Sequence, residues 1–102
     1  MNTPQDRVNM QQIHQSGLGW STVGKTIVGT FESADFATGL KFVNLIGASA
    51  EAANHHPDIE LTYSSVKVTL TSHDVGDITE RDLKLAEEIN DHASSLGIKH
   101  NS

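Results

Sequence analysis

The residues best equipped for chemistry lie in Glu51-Ala52-Ala53-Asn54-His55-His56-Pro57-Asp58, read together with His73. A carboxylate and two adjacent imidazoles stand at the end of an apolar helical run, where a proline breaks that run. The third imidazole, His73, closes an alternating segment. Histidine has an unperturbed pKa of about 6.5, so it donates or accepts protons near neutrality. Three of them with one glutamate, all at element ends, point to proton transfer or to a metal site. The expectation for transfer is that Glu51, His55, His56 and His73 line one cleft. For any single histidine the ordinary reading is a surface or capping role, and His14, His92 and His100 fit that reading. The joined pattern is more specific, because His-His-Pro after a helix serves no obvious packing purpose.

A metal site needs donors that converge. Adjacent side chains in an extended turn diverge, and the usual His-x-x-x-His and His-x-His spacings are missing. Nucleophilic hydrolysis has less support, since there is no Gly-x-Ser-x-Gly elbow and no serine with an obvious partner. Phosphate-cradling glycine loops are also missing. The chain has no cysteine, which removes disulfides, thiolate ligands and thiol nucleophiles. Thirteen acidic against seven basic residues give a net charge of -6. That balance opposes phosphate-backbone binding, which needs clustered Lys and Arg, so no nucleic-acid partner is expected. The first twenty residues are polar, and no run nears the roughly 18 apolar residues of a membrane span. A soluble cytoplasmic protein, without a membrane partner, is the expectation.

The elements that must position these groups read as one domain, residues 1–102. Thr3-Pro4 resembles a helix start, with Asp6 in its first turn and a thin stripe of Val8, Met10 and Ile13 up to Ser16. Trp20–Val23 and Thr26–Phe31 flank Gly24-Lys25 as a β-hairpin. Ser33 offers an N-cap for a helix to about Asn54, with Phe36, Leu40, Val43, Ile46, Ala50 and Ala53 inward. Glu51 lies on the flank of that face. Pro57 forces His56 out of helical geometry. Ile59, Leu61 and Tyr63 alternate as one strand, and Val66, Val68 and Leu70 as the next, with Ser72 continuing the inner face and His73 the outer. Thr79 with Asp82 three residues on resembles a capping box for a last helix ending near Leu96-Gly97. The five aromatics Trp20, Phe31, Phe36, Phe42 and Tyr63 are expected to anchor the core. The order α-β-β-α-β-β-α implies an α+β fold, a four-stranded antiparallel sheet with helices on one face.

Glu51, His55, His56, Pro57, Tyr63, His73 and Asp82 together resemble the spaced pattern of the pterin-4a-carbinolamine dehydratase family. Gly19-Trp20 and Phe31-Glu32-Ser33-Ala34-Asp35-Phe36 resemble two further stretches of it. Asn54 stands where family members often carry Asp, and Ser72 where many carry Thr. The resemblance implies dehydration of 4a-hydroxytetrahydrobiopterin to quinonoid dihydropterin, as part of tetrahydrobiopterin recycling. It assigns His55, His56 and His73 as catalytic, and Glu51, Pro57, Trp20 and Asp82 to substrate binding. The implied reaction needs no metal and no cofactor. The family also contains proteins with binding roles, in transcription-factor dimerisation or enzyme assembly, which is the alternative from another class. It implies a homo-oligomer, dimeric through sheet edges or tetrameric through helices.

Overall fold

The computed structural model describes residues 7–101. Its elements are α1 (Met10–Gln15), β1 (Ser21–Val23), β2 (Thr26–Glu32), α2 (Phe36–Ala53), β3 (Asp58–Leu61), β4 (Ser65–Leu70), α3 (Glu80–Ser95) and β5 (Lys99–His100). The expected α+β order is present, with the two-residue β5 added at its end. The sheet is antiparallel, ordered β1-β2-β4-β3. One edge of β2 pairs with β4, setting Ile27, Gly29 and Phe31 opposite Leu70, Val68 and Val66. Its other edge is shared by β1, beside Thr26–Val28, and β5, beside Phe31 and Glu32.

Alternation decides which face is covered. Ile27, Phe31, Val66, Val68 and Leu70 are fully buried beneath Phe42 and Ile46 of α2 and Leu85 and Ile89 of α3. Thr30, Lys67 and Thr69, one step out of phase, lie on the opposite face and stay at least partly exposed. Phe31 sits at the centre of an aromatic cluster. Its ring is 4.9 Å from that of Phe42 and 6.0 Å from that of Trp20, both edge-on. Such offset geometry suits the ring quadrupoles. Gly29 makes room for the indole, because a Cβ there would stand 2.5 Å from Trp20 Cε2.

Several expectations need correction. Thr3, Pro4 and Asp6 lie outside the described residues. Arg7 pairs with Thr79 in a β-bridge and Val8 N–H donates to Ile78 O, so this stretch is extended rather than helical. The helix starts only at Met10, capped by Asn9 in a box with Gln12. Asp35, not Ser33, caps α2, its carboxylate accepting from Thr38 N–H. The buried face of α2 is Gly39, Phe42, Ile46 and Ala50, rotated from the expected stripe, which leaves Phe36 and Leu40 45% and 44% exposed. β3 ends at Leu61, so Tyr63 lies beyond the sheet in the turn to β4 and is exposed. Only Trp20, Phe31 and Phe42 among the aromatics anchor the core.

Candidate functional site

The site begins where α2 ends. Asn54 takes the left-handed conformation (φ 51, ψ 45). Its own N–H reaches Ala50 O and Glu51 O, and His55 N–H donates to Ala50 O at 3.0 Å. Asparagine tolerates this conformation better than most residues, which gives it a local reason to stand here. The reversal turns His55 back beneath the helix. Pro57, which lacks a backbone N–H, then leads the chain extended into β3 and leaves His56 outside.

His55 is 8% exposed, and its Nε2 lies 2.5 Å from Asp82 Oδ1. Asp82 is fully buried at the start of α3. The capping box expected from Thr79 and Asp82 explains why a carboxylate is tolerated there. Asp82 Oδ2 accepts Thr79 N–H at 2.9 Å, and the amino end of the helix favours negative charge. Ser72 Oγ donates to the same oxygen at 2.9 Å and lies 2.8 Å from Thr79 Oγ1. A buried carboxylate survives only when its oxygens are satisfied, and here both are.

His56 forms a second pair, Nε2 to Glu51 Oε2 at 2.6 Å, with both side chains largely exposed. A glutamate in the last turn stands at the negative end of the helix dipole, and the His56 imidazole beside it gives that carboxyl a hydrogen-bond partner. Neither imidazole makes a hydrogen bond through Nδ1 to the described residues. Two imidazole–carboxylate pairs therefore flank one turn, one dry and one wet, each with its second ring nitrogen available for proton exchange.

His73 follows Ser72 in an exposed turn and makes no hydrogen bond or ion pair to the described residues. Its neighbour Asp74 accepts from Arg81 Nη2 at 2.9 and 3.1 Å, which holds that carboxyl below its usual range. Arg81, His55, Ser49, Lys84, Leu85 and Glu88 are among the residues lining a cavity of about 330 Å³ between α2 and α3. That size falls at the lower end for small-molecule sites. His56, Glu51 and His73 do not line it.

Of the four expected residues, only His55 is among those lining this cavity. His56 pairs with Glu51, and His73 follows Ser72, whose hydroxyl reaches Asp82. Asp82, expected among substrate contacts, has no exposed surface and holds His55 instead. Trp20, also expected there, is a core residue. Its indole N–H is taken by Asn90 Oδ1 at 2.8 Å, eight residues or roughly 12 Å along α3 from Asp82. Pro57 is half-buried in the turn. Among the described residues no three His, Asp or Glu side chains are grouped to hold a cation. Sequence reasoning left out Ser72, Thr79 and Arg81 as site residues. A serine at an inward position of the Val66, Val68, Leu70 alternation was the signal for the first, since a lone hydroxyl facing a core needs a partner.

The profile of the pterin 4 alpha carbinolamine dehydratase family matches residues 3–92. A Koribacter versatilis protein, named as a candidate pterin-4-alpha-carbinolamine dehydratase, is 48% identical over 72% of this chain and 78% of its own. A Thermomicrobium roseum protein of the same name is 38% identical over 87% and 96%. The crystal structure of a Brucella melitensis protein described as a transcriptional coactivator/pterin dehydratase superposes with a TM-score of 0.79 at 30% identity. It covers 86% of this chain and 99% of that one. A pterin dehydratase-like protein described as a RuBisCO assembly factor shares the fold, with a TM-score of 0.63 at 23% identity over 72% and 88%. With the profile spanning most of its length and relatives at this identity, the chain belongs to the pterin-4a-carbinolamine dehydratase family.

Proposed function

We propose that the chain removes water from 4a-hydroxytetrahydrobiopterin, or a close tetrahydropterin relative, to give the quinonoid dihydropterin. The observation that carries this reading is His55, held against buried Asp82 with its ring lining a cavity of about 330 Å³. Hydroxide is a poor leaving group, so the bond from carbon 4a to oxygen breaks as an acid protonates that oxygen. The proton on the adjacent ring nitrogen leaves to a base, and its electron pair becomes the new double bond. His55 and His56, each fixed by a carboxylate, supply the acceptor and the donor, and His73 holds the departing hydroxyl. Positioned groups of this kind contribute typically about 10²–10⁴-fold each. No electron is gained or lost overall, so the reaction itself asks for no redox cofactor.

The same reading includes self-association. Phe36 and Leu40 are adjacent on the outer flank of α2, and β3 is an open sheet edge. A second copy is the occupant that suits both surfaces.

Changing His73 to Ala and following carbinolamine disappearance by stopped flow tests the catalytic reading. Because His73 makes no hydrogen bond or ion pair to the described residues, its removal should leave thermal unfolding unchanged while turnover falls at least about tenfold. Near-normal turnover would strike His73 from the machinery. His55→Ala is less clean, because it strands the buried Asp82 carboxylate, and such losses cost about 3–5 kcal/mol of stability.

A further inference from the structure

We propose that Ser72 is a positioning residue, whose buried hydroxyl ends a one-way chain of hydrogen bonds that holds the Asp82 carboxylate with Oδ1 towards His55, so that Nε2 carries the ring hydrogen. The inference deepens the dehydratase reading and rests on it for its effect on turnover, though not for the assignment of the proton.

The chain is built from groups of known donor capacity. Backbone N–H groups only donate, and each hydroxyl has one hydrogen with two lone pairs. Arg81 N–H donates to Thr79 Oγ1 at 3.2 Å, and Thr79 N–H donates to Asp82 Oδ2 at 2.9 Å. Ser72 Oγ stands between Thr79 Oγ1, at 2.8 Å, and Asp82 Oδ2, at 2.9 Å. An ionised carboxylate has no hydrogen to give, so the serine donates to Asp82. The threonine hydroxyl must then donate to the serine. Every hydrogen in the run from Arg81 through Thr79 and Ser72 points towards Asp82. The remaining acceptor is Oδ1, 2.5 Å from His55 Nε2. Nε2 therefore brings the hydrogen, and the lone pair of neutral His55 is on Nδ1. Nδ1 is the nitrogen with which His55 accepts a proton.

The ordinary role for a serine at a strand end is to hold the following turn. That work is done here by its backbone. Ser72 N–H donates to Asp77 O at 3.1 Å, and Ser72 O accepts from Val75 N–H and Gly76 N–H at 3.0 and 2.8 Å. Alanine would keep all three bonds. What alanine would lose is the donor to Asp82 and the acceptor for Thr79. The threonine hydroxyl would then be free to turn round, Asp82 Oδ2 would keep one donor of two, and the carboxylate would be held less firmly against His55.

The test uses the full chain labelled with ¹⁵N, wild type, Ser72→Ala and Ser72→Thr, at a pH where His55 is neutral. Imidazole ¹⁵N shifts report which ring nitrogen bears hydrogen. Wild type and Ser72→Thr should show hydrogen on Nε2 with the same Nε2–H proton shift, and Ser72→Ala hydrogen on Nε2 with a displaced shift. With the carbinolamine as substrate, Ser72→Ala should lose at least about tenfold in kcat at nearly constant KM, and Ser72→Thr should recover it. Hydrogen on Nδ1 in the wild type would overturn the proposal. So would a Ser72→Ala ring whose Nε2–H shift is unchanged. A wild type lacking dehydratase activity but carrying hydrogen on Nε2 would remove the functional reading and sustain the Ser72 assignment.

Discussion

Asp82→Asn is the most informative single change, because the surroundings dictate how the new amide must lie. Asparagine has the shape of aspartate but one acceptor oxygen and one donor nitrogen. The Oδ2 position receives two donors, Thr79 N–H and Ser72 Oγ–H, both at 2.9 Å. An NH₂ group there would face both of them, so the amide oxygen takes that place. The NH₂ then faces His55 Nε2, which must become an acceptor, and the ring hydrogen moves to Nδ1. The nitrogen assigned to accept protons is thereby blocked without removing a side chain. A general acid or base contributes about 10²–10⁴-fold, which at 1.36 kcal/mol per tenfold raises the barrier by roughly 3–5 kcal/mol. The cost to stability is smaller, since the hydrogen bonds persist and only their charge-assisted character is lost, about 1–2 kcal/mol. For a domain of this size that is a fall of roughly 5–15 °C in Tm. Stopped-flow dehydration well below the variant's Tm, alongside thermal unfolding, separates the two effects. Turnover within threefold of wild type would refute the chain of hydrogen bonds as a device for holding His55.

Gly29→Ala should destabilise by about 1–3 kcal/mol in denaturant unfolding. Its Cβ would meet Trp20 Cε2 at 2.5 Å while the indole is tethered to Asn90, and an unchanged midpoint would mean the ring can retreat. His100 stacks on Phe31 at 4.6 Å with a buried Nε2 that has no hydrogen-bond partner among the described residues, and burial lowers its pKa below the usual 6.5. The unfolded chain therefore binds this proton more readily, so the contribution is complete above about 6.5 and is lost as pH falls towards the lowered folded value. Unfolding midpoints between pH 7 and 5 should fall less steeply in His100→Phe; identical slopes would dismiss the effect. Light scattering at micromolar concentration should give two or four times the chain mass of 11.0 kDa, and a monomer would contradict self-association through Phe36, Leu40 or β3.

Periodicity carried the fold a long way. The alternation of Val66, Val68 and Leu70 located β4 and its inner face, and Thr79 with Asp82 located the start of α3. The first helix was misplaced because pairing of Arg7 with Thr79 overrides local propensity, and no local signal reports a bridge across 72 residues. Ser33 lost the capping role to Asp35, two positions on, whose carboxylate reaches Thr38 N–H and is lowered in pKa by that bond. The inward face of α2 was misjudged by part of a turn, since Phe36 and Leu40 fit an apolar stripe whether or not the sheet reaches them.

The site was legible as residues but not as pairs. Glu51, His55, His56, His73 and Asp82 all stood out, yet spacing along the chain does not say which carboxylate meets which imidazole. His55 lies 27 positions from Asp82, and only the packing of α2 against α3 brings them together. His56 meets Glu51 because the left-handed Asn54 reverses the chain beneath the helix end. Trp20 was read as a ligand contact from its motif, whereas Gly29 and Asn90 make it part of the core.

The proposed dehydratase activity requires that this chain accelerate the loss of water from a 4a-hydroxytetrahydropterin. A stopped-flow measurement that generates the carbinolamine in the mixing chamber and follows its decay with and without catalytic amounts of the protein tests this. Decay should be faster than the spontaneous reaction, rising in proportion to protein concentration and largely abolished by Asp82→Asn. Decay at the buffer rate at every concentration of folded protein would contradict it.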